Sequence, residues 1–147
     1  MPKLTGPHIR DLTREECMEV LGSRNVGRIA YTLHDHVDIE PVNYVCDAEW
    51  IFGRTSIGTK LGMLLHNPWC AFETDTVDGL FDWASVVIKG TFTLLDPVRG
   101  SPDTYARAKR LLEDLVGGTF TDHDPAPHRN VVFGIFVREI SGRAASP

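Results

Sequence analysis

Segments with the pattern of β-strands follow one another closely in this chain, and the short turns between them limit the folds it can adopt. Three such segments lie between residues 25 and 55, separated by turns of three residues at 34–36 and two residues at 47–48. Turns this short join antiparallel strands, because a parallel pair needs a long crossover. Further strands are predicted at 69–75, 83–95 and 129–140, which makes six. A six-stranded antiparallel sheet avoids exposed edges by curling into a barrel, so we predict a mainly β protein.

Three helices are predicted to flank this barrel, and each start is marked by a residue that favours a helix N-terminus. The first helix begins with a capping box formed by Thr13 and Glu16. The second begins near Ser56, directly after a strand, and the third is capped by Ser101 with a proline at the next position. The fold class expected from the sequence is therefore a β-barrel with flanking α-helices.

The composition excludes several classes of protein. With 20 acidic and 15 basic residues the chain carries a formal net charge of −5, which disfavours nucleic acid as a partner. Its apolar content of 42% is too high for a disordered protein, and no stretch is long and apolar enough to form a membrane helix. The first residues lack the apolar core of a secretory signal. We therefore expect a cytoplasmic protein, with residues 1–147 forming a single domain.

The cysteines and histidines do not form a recognisable metal or redox motif. The three cysteines are odd in number and widely spaced, and we expect reduced thiols: Cys17, Cys46 and Cys70. His34 and His36 lack an evident third ligand, so no metal site is predicted. His66 ends the second predicted helix, where a cation would suit the negative helix end, and a role in a substrate pocket stays open.

The segment FGRTSIGTKL contains the strongest local signal for ligand binding. Arg54 and Lys60 are six residues apart, and the hydroxyl-bearing Thr55, Ser56 and Thr59 lie between them. A helix start with free N–H groups, two cations and three hydroxyls suits a phosphate monoester. The order differs from the GxxxxGK[ST] of a P-loop. From these residues alone, a phosphate site and an ordinary solvated strand–helix turn both remain open.

Four stretches of the sequence, in this order, resemble the FMN-binding split-barrel family, the pyridoxamine 5′-phosphate oxidase-like superfamily. They are LTREECMEVLGSRNVGRIAY, IEPVNYVCDAEWIFGRTSIGTKL, NPWCAFETD and WASVVIKGTFTLL, and together they cover roughly residues 12–96. The combination of PVNY, RT…GTKL and W-x-SVV-x-x-G is specific in this order. Within the superfamily, the chain is most similar to the branch that includes nitroimidazole-resistance-type proteins.

The resemblance implies a six-stranded antiparallel split β-barrel that forms a homodimer, with FMN held in grooves between the subunits. By position, the residues implied to hold the phosphate are Arg54, Thr55, Ser56 and Lys60, with Leu61 packing nearby. Those implied to lie along the isoalloxazine ring are Pro41, Val42, Asn43 and Tyr44. The neighbouring strand, of the same or the other subunit, is implied to contribute Trp83, Ser85 and Val86. Without the resemblance, these side chains are equally expected as local polar groups, barrel core or subunit interface.

The activity implied by the resemblance is that of a flavin-dependent oxidoreductase passing electrons from NAD(P)H to a small-molecule acceptor. No side chain is predicted to act as a catalytic acid or base. The alternatives are a non-catalytic flavin-binding or sensory protein, and the same fold using a deazaflavin or haem. An acidic loop is expected between residues 73 and 82, which favours FMN over a polyanionic deazaflavin tail.

Two departures from the family pattern also shape these expectations. The chain ends at Pro147 without the longer C-terminal portion of full pyridoxamine phosphate oxidases, which argues against vitamin B6 oxidation. Gly53 replaces a bulkier residue directly before Arg54, which predicts a looser phosphate site.

Overall fold

A computed structural model describes residues 6–147; residues 1–5, part of the segment without a secretory-signal pattern, lie outside the described residues. Over this range the chain forms eight strands: β1 (His8–Asp11), β2 (Val26–Leu33), β3 (His36–Asn43), β4 (Val45–Asp47), β5 (Trp50–Thr55), β6 (Trp69–Gly79), β7 (Asp82–Leu94) and β8 (Val131–Ser146). The three helices within it are α1 (Arg14–Ser23), α2 (Thr59–His66) and α3 (Pro102–Leu115). None of these helices is long and apolar enough to span a membrane.

The strands form one antiparallel sheet in the order β3-β2-β6-β7-β8-β5-β4, and β1 pairs with β8 outside this path. The two ends of the order, β3 and β4, are joined through a single residue, Tyr44. A sheet whose two end strands are consecutive in the chain has to curl back on itself, so the strands enclose a common core. The predicted mainly β fold, a split barrel with flanking helices, is confirmed.

The strand count differs from the prediction, since eight strands replace six in residues 6–147. β1 precedes the first predicted element, and β4 is separated from β3 where Tyr44 turns into the core. β8 continues to Ser146 because its polar second half pairs with both β7 and β1. Two neighbouring strands satisfy the backbone of this half, so it needs no alternation of apolar residues to stay extended.

The stretch expected as an acidic loop is instead the end of one long hairpin, because β6 runs to Gly79. Glu73 and Asp75 lie in β6, and Arg28 of β2 donates to both carboxylates at 3.0 and 3.4 Å. Burial and the nearby Asp75 nevertheless raise the pKa of Glu73. The prediction of a loop from residue 73 onward is therefore wrong, and Arg28 of β2 partly compensates the two carboxylates that lie in β6.

The core has two parts, one inside the barrel and one beneath α3. The larger cluster contains fully buried aromatic rings such as Tyr44 and Phe72, and α1 and α2 close it from outside the sheet. The smaller cluster packs Ala108 and Leu112 of α3 against Phe52 of β5. α3 thereby covers the opposite side of the strand that ends at the Arg54 turn.

The predicted helix starts hold for α1 and α3 but not for α2. Thr13 and Glu16 form the reciprocal capping box, and the Ser101 hydroxyl accepts from the Thr104 N–H. Ser56 does not cap α2, because that helix begins only at Thr59, with Gly58 at the N-cap and no side-chain cap. The Ser56 hydroxyl, which was predicted to cap α2, consequently lies outside the helix.

Candidate functional site

The turn between β5 and α2 opens onto a cavity of about 410 Å³, which we call the anion pocket. Three structural elements meet around it: β3, the turn itself and the segment before β8. Its lining residues are Glu40, Pro41, Val42, Arg54, Thr55, Ser56, Gly58, Thr59, Lys60, His128 and Arg129. All four residues that the sequence predicted to hold a phosphate are therefore brought together in one pocket.

The start of α2 gives this pocket the properties of a helix N-terminus. The first bond of the helix runs from the Gly62 N–H to the Gly58 carbonyl at 3.1 Å, so the N–H groups before Gly62 have no partner within the helix. No side chain caps them. Ser56 and Thr59 contribute hydroxyls to the same cavity. Free N–H groups and the positive end of the helix dipole favour an anion here.

Lys60 contacts Glu40 across the pocket. Its ammonium nitrogen lies 2.6 Å from Glu40 Oε1, and the side chains are 23% and 37% exposed. The carboxylate oxygen lacks an aligned hydrogen bond, so the contact is an ion pair only. Partly exposed ion pairs contribute little free energy, about 0.2–1 kcal/mol. Lys60 is therefore able to exchange its carboxylate for another anion.

Arg54 makes a different kind of pair with Asp124. Its two terminal nitrogens donate to the two carboxylate oxygens at 2.6 and 2.8 Å, and the side chains are only 12% and 3% exposed. Asp124 also accepts from the backbone N–H groups of Phe120 and Ala126. The Arg54 guanidinium, followed by these hydrogen bonds, holds the pKa of Asp124 well below its usual range. Arg54 thus lines the pocket with its charge already compensated.

Arg129 is a pocket residue that the sequence analysis missed. Its backbone is held at both ends: its N–H donates to the Ala126 carbonyl at 3.0 Å and its carbonyl accepts from Arg54 at 3.3 Å. Its side chain is exposed and has no ion pair within residues 6–147. It lies 75 residues from Arg54 in the chain, so no spacing rule links the two. With Arg129 included, three bases and one carboxylate line the cavity.

The residues predicted to follow the flavin ring separate into two groups. Pro41 and Val42 line the anion pocket, and Asn43 lines a neighbouring cavity. Tyr44 is fully buried; its ring packs edge-on against Phe72, and burial raises the pKa of its hydroxyl to about 12. The Tyr44 hydroxyl donates to a backbone carbonyl of α1 at 2.6 Å. The Tyr44 side chain is therefore part of the barrel core, which leaves only its backbone as a possible partner of the ring.

The predicted contribution of β7 does not reach the anion pocket of the same chain. Trp83 pairs with Ala145 on β8, whereas Arg54 pairs with Val132. At about 3.3 Å per residue, the path along β8 between these partners is roughly 40 Å. Ser85, two residues after Trp83, donates to Glu73 instead. Within one subunit, the start of β7 and the phosphate turn are thus separate surfaces.

Two further residues with predicted places near the site lie in the core. Val86 is completely buried and belongs to the barrel interior, so its side chain is closed to a ligand. Leu61, the second residue after Thr59, is 6% exposed and packs into the same cluster beneath the pocket. The buried side chain of Val86 contradicts the expected ligand contact. The position of Leu61 agrees with its expected packing role.

Gly53 has a packing reason that is independent of the anion pocket. A Cβ at this position would lie 2.5 Å from the Phe133 ring, which faces the β5 backbone from β8. The absent side chain therefore makes room for a core ring, not for a ligand. The expectation that Gly53 loosens the phosphate site stays a prediction, because core packing alone accounts for the glycine.

A smaller cavity of about 140 Å³, which we call the side pocket, adjoins the anion pocket through Arg54 and Arg129. It lies between the end of α3 and the segment that precedes β8. Its remaining lining residues are Asn43, Leu112, Leu115, Val116, Thr119, Pro125 and Ala126. This lining includes two bases and no carboxylate.

The fold and the two cavities define a small antiparallel split-barrel protein with an anion pocket at a strand–helix turn. A family model described as pyridoxamine 5′-phosphate oxidase matches residues 13–144, and the chain belongs to this family. The predicted resemblance is thereby confirmed.

Individual relatives agree with this assignment over nearly their whole length. A FAD-binding protein from Mesorhizobium loti is 28% identical, with a TM-score of 0.79 over 97% of this chain and 100% of that one. An uncharacterised Rhizobium meliloti protein is 25% identical, covering 93% of this chain and 95% of its own. A Bacteroides thetaiotaomicron structure described as a 5-nitroimidazole antibiotic resistance protein is 13% identical, with a TM-score of 0.70 over 96% and 89%, and shares the fold.

Proposed function

We propose that this protein is a flavin-binding oxidoreductase of the cytoplasm that holds FMN by its phosphate in the anion pocket. The observation that carries the proposal is the convergence of the uncapped α2 start, three hydroxyl side chains and Lys60 on one cavity. The similar Mesorhizobium loti protein is described as FAD-binding. Flavin mononucleotide and flavin adenine dinucleotide share the first phosphate, and this pocket is the part of the site that would recognise it.

The pocket lining fits a phosphate in both charge and donor type. A phosphate monoester carries about 1.5 to 2 negative charges at neutral pH and accepts several hydrogen bonds. Asp124 compensates Arg54 and Glu40 pairs with Lys60, so Arg129 leaves the lining with one positive charge in excess, and Thr55, Ser56 and Thr59 add hydroxyl donors. The carboxylate, Glu40, lies on Lys60 at 2.6 Å, where an incoming phosphate would compete with it. The site therefore binds an anion by replacing a weak internal pair.

The ring of the flavin would lie along β3 beyond the phosphate. Pro41 and Val42 present an apolar surface at the pocket, and Asn43 offers an amide further on. Such a strand orients a planar ring through van der Waals contact and backbone groups. When bound, the flavin supplies hydride transfer from NAD(P)H and onward to a small-molecule acceptor, while the protein binds the cofactor and limits water access.

We further propose that the active form is a homodimer with the flavin at the subunit interface. One chain keeps the start of β7 far from its own anion pocket, so the β7 residues would act only on the flavin of a second copy. Val37, Ile39 and Trp69, from β3 and β6, are 70%, 67% and 58% exposed. Large exposed apolar side chains on a sheet favour a protein interface, which a second copy of this chain would cover.

A flavin-binding protein without turnover is the second candidate function. The titratable side chains in the anion pocket form ion pairs or face solvent, and no hydrogen-bonded acid–base pair is present among its described residues. This arrangement binds a cofactor without requiring proton transfer by the protein. Steady-state oxidation of NAD(P)H with quinone or nitroaromatic acceptors separates the two candidates, since only the oxidoreductase accelerates it.

The cofactor itself is tested by purifying the protein without added ligand, recording its visible spectrum and measuring the mass of the released compound. We expect a flavin spectrum and the mass of FMN. If the released compound is FAD, a deazaflavin or haem, that compound is the cofactor instead of FMN. A colourless protein that also fails to bind added FMN and FAD would refute the proposed function.

A further inference from the structure

We infer that the side pocket binds a small planar carboxylate, for which an aromatic monocarboxylate such as benzoate is the simplest probe, with Arg129 as the partner of the carboxylate group. As a binding site, the side pocket stands on its own lining. Only its purpose, to hold the reaction partner of the flavin beside the ring, rests on the proposed function.

Arg129 is the base that remains available to a ligand in this cavity. The other base of the lining, Arg54, is held by both oxygens of Asp124 and is 12% exposed. Arg129 has an exposed side chain on a backbone that is fixed by two hydrogen bonds. A guanidinium on a fixed backbone loses less freedom on binding, and its planar donors match a carboxylate.

The charge of the cavity selects an anion over a neutral or cationic ligand. No carboxylate lines the side pocket, since Asp124 turns its oxygens toward Arg54 and the backbone N–H groups of the loop. The positive charge of Arg129 is therefore not offset locally.

The rest of the lining is apolar except for Thr119, whose hydroxyl already donates to the Val116 carbonyl at 2.6 Å. Leu112, Leu115 and Val116 come from the end of α3, and Pro125 and Ala126 come from the segment before β8. The side pocket has a volume of about 140 Å³, against about 410 Å³ for the anion pocket. This space suits one ring with a carboxylate and is too small for the three fused rings of a flavin.

The test is a calorimetric titration of the purified protein with benzoate and, in parallel, with uncharged benzamide. We expect benzoate to bind about tenfold more tightly than benzamide. Arg129→Gln is expected to weaken benzoate at least about tenfold, which is about 1.4 kcal/mol. Arg138→Gln is the matched control, because Arg138 is an exposed arginine on β8 that lines neither cavity, and it should leave the affinity unchanged.

Two further variants locate the bound benzoate. Ala126→Leu places a larger side chain in the lining of the side pocket. This variant should abolish benzoate binding while a flavin still binds. Lys60→Ala should leave benzoate unaffected, because Lys60 lines only the anion pocket. Absence of benzoate binding, equal affinity for benzamide, or loss of benzoate in the Lys60 variant would each overturn the inference.

Repeating the titration with saturating FMN separates this inference from the proposed function. Because Arg129 lines both cavities, FMN should weaken benzoate only a few-fold, and benzoate binding to the FMN-loaded protein supports two adjacent sites. Full competition, in which saturating FMN abolishes benzoate binding, would make the side pocket part of the flavin groove and overturn the inference. If FMN does not bind at all while benzoate binds and depends on Arg129, the proposed function fails and the carboxylate site stands.

Discussion

Two ion pairs border the anion pocket, and they differ in burial and in the number of bonds that hold them. Arg54 and Asp124 are 12% and 3% exposed, and two hydrogen bonds join them. Lys60 and Glu40 are 23% and 37% exposed and meet at a single pair of atoms. The first pair connects β5 to the segment before β8, and the second connects α2 to β3.

Burial and bonding together determine which of the two bases can bind a ligand. Removing one member of a buried pair leaves a charge without compensation, so such a pair fixes the structure around it. A half-exposed pair has little free energy to lose when another anion replaces its carboxylate. We conclude that Arg54 shapes the wall of the pocket and that Lys60 is the base free to exchange partners.

The largest expected effect is that of Asp124→Asn, which breaks the buried pair. Asparagine can accept from Arg54 but leaves its positive charge uncompensated, and one of the two ionic bonds is lost. Because Asp124 also accepts from Phe120 and Ala126, the segment from 116 to 130 should loosen. We expect Tm to fall by several degrees, faster proteolytic cleavage in this segment and weaker FMN binding.

Asp122→Asn provides the control for that variant, because Asp122 is exposed in the same segment and makes no ion pair within residues 6–147. It removes the same charge two residues away and should change neither Tm nor the cleavage pattern. Equal Tm values for the two variants would show that the Arg54–Asp124 pair does not hold the segment.

Lys60→Ala should have the second largest effect, and on affinity more than on folding. A charge-assisted hydrogen bond contributes about 1.5–3 kcal/mol, so the variant should bind FMN about 10- to 150-fold more weakly. Its Tm without flavin should stay within a degree or so of the wild type, because the pair it breaks is half exposed. Fluorescence titration with FMN measures the affinity.

The control for Lys60→Ala is Arg110→Ala. Arg110 is an exposed base of α3 that lines neither the anion pocket nor the side pocket. An equal loss of FMN affinity in both variants would mean that net charge, not contact in the pocket, determines binding.

The sequence predicts much of this site because its ligand-facing part is local. The strand–helix turn brings Thr55, Ser56 and Lys60 together within seven residues, and the short turns upstream determine the antiparallel sheet. Asp124 and Arg129 are 70 and 75 residues from Arg54, and only the closed barrel brings them near it. The pairing that compensates Arg54 could therefore not be predicted from spacing.

Tyr44 shows a second limit of the sequence. In the pattern PVNY it continues a strand whose outward residues suit a ligand groove, but the chain leaves the strand at this residue. The hydroxyl of Tyr44 finds a carbonyl of α1 at 2.6 Å, which makes complete burial acceptable for a polar side chain. The burial of Tyr44 depends on a hydrogen-bond partner in α1, and the local sequence around Tyr44 does not reveal that partner.

Glu40→Gln should have a smaller effect in the opposite direction. The variant removes the carboxylate that pairs with Lys60 and so frees the ammonium group for a phosphate, so FMN should bind about two- to fivefold more tightly. The gain should disappear in the Glu40→Gln, Lys60→Ala double variant, because Glu40 acts through Lys60. A gain of the same size without Lys60 would mean that simple charge repulsion by Glu40 controls the affinity.

The smallest expected effect is the change with pH of the Tm difference between the wild type and Asp124→Asn. The pKa of Asp124 is lowered in the folded protein by Arg54, so its contribution to stability is complete above the ordinary aspartate pKa of about 3.9. Below that pH, Asp124 is protonated in the unfolded chain but still ionised in the folded protein. Its contribution to the free energy of unfolding therefore declines. The difference in Tm between the wild type and Asp124→Asn should therefore stay constant from about pH 8 to 5 and narrow below about pH 4.

The pKa of Glu16 is also lowered, to about 2, but Glu16 titrates in both proteins and cancels in the difference. Thermal unfolding followed by circular dichroism at constant ionic strength measures this difference, and a gap that widens on acidification would show that Asp124 is not stabilised as a carboxylate by Arg54.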